Sequence, residues 1–373
     1  LGDNDEAQKH VLEAARFLVP NGQVNQPGTL DAYAKGLVNL GEISYSKGNF
    51  LKSSKQFEDA LELFDQIGNR DGAARAHLFM GYIAGGLGDP EKAAAEISQS
   101  LRLYRAIGNK SGEGLSLIAL GLTHSLNRDE DQAIRMHREA SDIFRRIGDR
   151  QSEAIAVNGL AQSYENLGEY PTALGNYRLA LRLFQDNGSL DFASGTMLHV
   201  ARAYRLNGDL KQALAYYEKC LNLSRAAKKV RTEANALNDV AVLYATQGNR
   251  EKTITQYRRI LKFYAAISDR RRQAVAWNNL GDFYFRFGEK QKALGSYNQA
   301  LPLSEQAGDK GVLISSLYNI ARAHRDLGAL ELALPHIERS ITIIENLRTN
   351  VASPEFRISY FSGVRRNYDL CID

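Results

Sequence analysis

The chain has 373 residues, a formal net charge of +4, and 44% hydrophobic against 24% charged residues. That balance supplies a packed core, and so small an excess of base is not that of a polycation built to coat nucleic acid. Two distant cysteines, Cys220 and Cys371, exclude a disulfide framework or a cysteine metal cluster and point to a reducing, cytoplasmic setting.

Residues 5–19, with Ala7 and Ala14 at small positions, are expected to form the second helix of an incomplete repeat. Pro20, Asn21, Gly22 and Pro27 then mark a linker, so 1–30 reads as a partial repeat and its connection. The chain starts at Leu1 with no signal-peptide pattern, as a piece of a longer protein would. No apolar run reaches the ~18 residues that a membrane helix needs.

From residue 31 the sequence repeats every 40 residues. Leu40-Gly41, Met80-Gly81, Leu120-Gly121, Leu160-Ala161, Val200-Ala201, Val240-Ala241, Leu280-Gly281 and Ile320-Ala321 share one offset. Glycine follows at Gly48, Gly88, Gly168, Gly208, Gly248, Gly288 and Gly328, and Arg128 alone departs. A left-handed glycine ends a helix, and Asn49, Asp89, Asp129, Asp209 or Asn249 behind it suits the N-cap of the next. First helices are therefore expected near 31–47, 70–87, 111–127, 150–167, 190–207, 230–247, 270–287 and 310–327. Each second helix carries small, aromatic and small residues at spacings of four and three, as in Ala293, Tyr297 and Ala300. These fall on one helical face. Pro302 and Pro335 lie inside second helices, where a missing N–H is expected to kink the axis.

A single helix pair cannot bury its apolar face, so the pairs must stack. The reading is an all-α, right-handed superhelical solenoid: eight repeats over 31–348, then a helix over 349–373 that starts another domain. Leu280-Gly281, Tyr284, Gly288, Ala293, Tyr297 and Ala300 resemble the tetratricopeptide repeat signature. The 40-residue period is similar to the long-repeat branch found in kinesin light chain and LGN-type adaptors. Ile344 to Phe361 resembles the junction at which bacterial repeat proteins run into a caspase-like CHAT peptidase.

That resemblance implies a protein or peptide partner along the concave face of the first helices. At the corresponding offsets, Val38, Leu78, Tyr82, Ile118 and Leu122 form an apolar zone, with Asn39 beside it. Later repeats offer Asn158, Asn238, Asn278 and Asn319, whose amides both donate and accept and so match a peptide backbone. Gln162 and Asp282 lie at neighbouring offsets, and the pairs Arg202/Arg205 and Arg322/Arg325 are spaced to clamp carboxylates or phosphates. A monomer suffices for such a role.

Residues 225–272 hold twelve Lys or Arg against four acids. They fall mainly at turns and outer faces with no stacking aromatics around them, so a solvated ridge is expected and no nucleic-acid partner. His124 and His324 replace the repeat's tyrosine, His137 takes an aromatic core position and Cys220 a small one. No metalloprotease helix, nucleophile elbow or phosphate-binding loop occurs. The expectation is a scaffold that is no enzyme and needs no cofactor. The alternatives are an effector-sensing array of a signalling ATPase or transcription regulator, and a passive spacer.

Overall fold

Sixteen helices run through residues 27–349 of the computed structural model, which describes that stretch and residues 367–370. No strand occurs among the described residues. The first helices of successive pairs are α1 (Pro27–Ser46), α3 (Arg70–Gly86), α5 (Lys110–Leu126), α7 (Arg150–Asn166), α9 (Leu190–Leu206), α11 (Val230–Thr246), α13 (Arg270–Arg286) and α15 (Lys310–Asp326). Their partners are α2 (Phe50–Ile67), α4 (Pro90–Ile107), α6 (Glu130–Ile147), α8 (Tyr170–Asp186), α10 (Leu210–Ala226), α12 (Arg250–Ala266), α14 (Lys290–Ala307) and α16 (Leu330–Thr349). This is the all-α, repeat-built fold that the period implies. The expected helix over 5–19, Cys371 and residues 350–366 lie outside the described residues.

Every turn between helices is closed by one residue in the left-handed region. Twelve of these are glycines, such as Gly88 and Gly168; Arg128, Lys228 and Ser268 adopt the same backbone at φ 61°, 53° and 56°. The next residue then takes the N-cap position of the following helix, and at several turns its side chain caps it. Asp89, Asp129, Asp209 and Asn249 each accept the N–H three residues on, at 2.9, 3.3, 3.0 and 3.2 Å. Asn49, expected to do likewise, makes no side-chain cap bond. Pro90 and Pro171 occupy first turns, where no backbone bond is lost. Helices α14 and α16 continue through Pro302 and Pro335.

The chain divides into two compact units, Leu1–Lys219 and Cys220–Asp373, with the boundary inside α10. In the first, Phe57, Ile97, His137, Tyr177 and Tyr217 fill the large core position of each pair, flanked by the buried small residues Ser53, Ala60, Ala133 and Ala140. Ion pairs link a second helix to the next first helix: Glu113 meets Arg105 at 2.9 Å and Glu153 meets Arg145 at 3.1 Å, while Lys110 and Arg150, on the same helices as these acids, approach them at 2.7 and 3.0 Å. Consecutive first helices are joined by bonds between residues 38 apart. Asn69 donates to Asp31 at 2.5 Å and Asn109 to Asp71 at 2.8 Å.

The second unit repeats the plan with Tyr257, Tyr297 and Ile337 in the core and Cys220 buried at a small position. Its final helix pair is covered by residues 367–370, which are helical. Ser340 donates to Asn367 at 2.9 Å and Tyr368 to Glu345 at 2.6 Å, while Leu370 packs against Ala333 and Ile337. Among the described residues no helix is long and apolar enough to cross a membrane.

Candidate functional site

In the first unit the helix period sorts the candidate residues into core and surface. Val38, Leu78 and Ile118 are buried in apolar clusters and so serve packing, not an open apolar face. Leu122, 44% exposed, and Asn39 stay at the surface. Tyr82 is half-buried with its ring edge-on to Phe79, and burial, with Tyr45 nearby, pushes its phenol up to about 12. Asn158 accepts from Thr196 at 3.1 Å, which ties α7 to α9.

Gln162, Arg202 and Arg205 are half-buried near a tyrosine–glutamate pair. Tyr177 donates to Glu165 at 2.6 Å, and the His199 ring stacks on Tyr177 with centroids 5.6 Å apart. Burial raises the Glu165 carboxyl; the Tyr177 hydrogen bond and the charges of Arg202 and Arg205 oppose that shift. Burial, reinforced by Arg202, drops the His199 imidazole to about 4.

In the second unit, Asn238 donates to Tyr264 at 3.1 Å. Further along the chain, α13 and α15 form the walls of a cleft of about 690 Å³, with Val242 of α11 and Tyr257 of α12 also lining it. Asn278, Asp282, Asn319 and Arg322 all lie in this cleft, so four of the sequence candidates meet there. Arg325 is half-buried outside it, beside Asp326 at 3.1 Å.

The cleft's electrostatics centre on Arg322. Its Nη2 donates to Asp282 Oδ1 at 2.8 Å and to Tyr297 Oη at 3.0 Å, and Tyr297 donates to the same Oδ1 at 2.7 Å. The guanidinium also lies over the Phe285 ring at 4.1 Å and the Tyr318 ring at 5.6 Å. Burial disfavours its charge, but Tyr297 and Asp282 outweigh that and hold its pKa above the ordinary arginine value. Burial and Asp282 together push the Tyr297 phenol up. Arg322, expected to clamp an outside acid, already holds an internal one. Tyr297, Phe285 and Tyr318 join the site although the sequence candidates do not include them. Opposite charges at Asp282 and Arg322, one period apart on neighbouring first helices, are the available signal for this pair.

Two buried amides in the same cleft keep unused hydrogen-bonding groups. Asn278, 6% exposed, donates to Ser316 at 2.8 Å, while its Oδ1 is buried with no partner. Asn319, also 6% exposed, makes no side-chain hydrogen bond among the described residues. A buried acceptor left without a donor costs roughly 1–3 kcal/mol, which a bound donor would recover. Arg271 of the rim is paired with Asp309.

Elsewhere, four members of the basic stretch are held in ion pairs: Arg225 with Glu233, Arg250 with Glu289, Arg271 with Asp309 and Arg272 with Asp269. His137 is buried and its pKa falls to about 4 by loss of hydration. No group of three His, Cys, Asp or Glu side chains is placed to hold a metal ion among the described residues.

The tetratricopeptide repeat profile matches residues 32–106, 108–186, 193–266 and 270–346. The chain belongs to the tetratricopeptide repeat family. Repeats of this family generally serve as non-catalytic interaction modules. Among solved structures, the chain is similar to a STAND signal-transduction ATPase with a tetratricopeptide repeat sensor from Pyrococcus horikoshii, at 14% identity and TM-score 0.61. That match covers 95% of this chain and 55% of the ATPase. The apo quorum sensor NprR from B. thuringiensis matches at 16% identity and TM-score 0.57, over 92% of this chain and 99% of its own. A Rap protein complexed with competence and sporulation factor matches at 13% identity and TM-score 0.52, over 94% and 99%. At such identities the likeness concerns the fold. No curated protein matches by sequence.

Proposed function

We propose that this tetratricopeptide array is a recognition module whose α13–α15 cleft takes an extended segment of a peptide or protein. The observation that carries the reading is Asn278 Oδ1, buried without a donor in a cleft that the Asn319 amide also lines. A peptide group offers the N–H and C=O that they lack. The Rap structure, complexed with competence and sporulation factor, supports the same use of such a fold. The test is an array of random-sequence decapeptides, with the strongest binder resynthesised and its Kd measured by fluorescence polarisation. Asn278→Ala/Asn319→Ala should weaken that binder roughly ten-fold or more, as loss of two buried hydrogen bonds implies. Binding that ignores the double variant refutes the reading, and a passive spacer would bind nothing.

The likeness to the P. horikoshii ATPase sensor favours a second reading, an effector-sensing array attached to a signalling domain. Regulation of a C-terminal CHAT peptidase rests on the resemblance of residues 344–361 alone.

A further inference from the structure

The cleft that would hold a peptide segment also carries its own carboxylate, and the hydrogen bonding around that group is one-sided. Arg322 Nη2 and Tyr297 Oη both donate to Asp282 Oδ1. Oδ2 receives no donor among the described residues, although the Asp282 side chain is 44% exposed. Asn278 Oδ1 is a second acceptor without a partner, and Arg322 Nε is a buried donor likewise left without one. Of the neighbouring donors, the Ser315 hydroxyl bonds Gly311 O at 3.0 Å and Arg271 is paired with Asp309, while the Asn319 amide remains open. Two of the three lining arginines are thus neutralised inside the cleft. The third, Arg286, is exposed with no ion pair among the described residues, where water and salt screen it.

An acidic segment entering this cleft would meet Asp282 before it could reach Arg322. To use that guanidinium it must come to lie beside the Asp282 carboxylate that Nη2 already holds, one negative charge against another. A basic or hydroxyl-bearing segment meets no such obstacle, because Oδ2 accepts a donor without disturbing the Arg322–Tyr297 arrangement. Charge-assisted bonds of this kind are the stronger class.

We propose that Asp282 is the specificity-determining residue of the cleft, reserving it for segments that bring a basic hydrogen-bond-donating side chain and turning acidic segments away. This rests on the peptide-binding reading above. The strongest binder from the decapeptide array is resynthesised with Lys, Gln or Glu at each position in turn. At one position Lys should bind roughly three- to ten-fold more tightly than Gln, and Glu more weakly than either. Asp282→Asn should erase that order at the same position while binding stays sensitive to Asn278→Ala, and Asp282→Glu should retain it. Thermal unfolding of each variant shows that the comparison is made on folded protein, and Arg286→Gln, which removes the rim charge, should sharpen the preference for Lys. A flat charge scan, or a Lys preference that survives Asp282→Asn in a binder that Asn278→Ala weakens, overturns this proposal and leaves peptide binding standing. A binder insensitive to Asn278→Ala/Asn319→Ala, or no binder at all, overturns both.

Discussion

Gly281 of α13 lies directly against the Tyr297 ring of α14: a Cβ added to Gly281 would come within 2.4 Å of Tyr297 Cε1. The ring is fully buried and held at its hydroxyl by Asp282 and Arg322, so it has little freedom to retreat. Gly281→Ala should therefore destabilise the second unit by about 1–3 kcal/mol through overpacking. Gly295, inside α14, has open space on the side where a Cβ would stand, with no heavy atom within 4 Å. There the same change should stabilise by up to about 1 kcal/mol, since alanine is the better helix former. Urea unfolding of the two variants should show shifts of opposite sign.

His137 supplies a pH dependence with a defined sign. Its folded-state pKa is lowered from 6.5 to about 4 by burial, so at neutral pH the imidazole is uncharged in both states. Below 6.5 the unfolded chain binds a proton that the folded chain refuses until about 4. Stability from this residue is therefore full above that window and falls across it, by roughly 3 kcal/mol in total. His137→Phe should flatten the difference between unfolding free energies measured at pH 7 and pH 5.

Arg128, Lys228 and Ser268 stand in the left-handed conformation that glycine takes at the other turns. Replacing each by glycine removes the Cβ–carbonyl clash at the expense of a more flexible unfolded chain, and the net gain should be about 0.5–1 kcal/mol per site. Calorimetry should find a higher Tm for each variant, nearly additive for the three because the turns are far apart in sequence and share no partners.

Glu113 tests the ion pairs between successive helices. Burial opposes its charge, yet hydrogen bonds from Lys110 and Arg105 hold its carboxyl below the ordinary value. Glu113→Gln should cost about 1–2 kcal/mol, and a double-mutant cycle with Arg105→Ala should return a coupling of roughly 0.5–1.5 kcal/mol. The contribution is present above the ordinary glutamate pKa and is lost as pH falls through the depressed one, so the coupling should shrink in acid.

The helix boundaries are legible because glycine and cap residues punctuate them: the expected first helix over 270–287 is α13, Arg270–Arg286. Burial of Ala293, Tyr297 and Ala300 follows from spacing alone. What the period does not reveal is which polar groups satisfy each other across repeats. Asn158 and Asn278 share an offset with Asn238, yet they bond Thr196 and Ser316 at residues 38 further on, while Asn238 reaches Tyr264. Those pairings depend on how far one first helix slides past the next, which no single helix encodes. Val38, Leu78 and Ile118 sink into the core for a similar reason: their position faces the neighbouring pair as much as the open side.

The 38-residue bonds between first helices make this array editable in one unit of length only. Asn69 caps the N–H of Gly72 and grips Asp31; Asn109 caps Gly112 and grips Asp71 in the same way. Joining Asn69 directly to Lys110 would excise residues 70–109 and still leave a glycine three places after the asparagine, ready to be capped. A cut two residues longer would turn the small and aromatic core positions of the following helices away from their neighbours. Lineages carrying such repeats can therefore lengthen or shorten by whole modules, while smaller insertions must be absorbed at the turns.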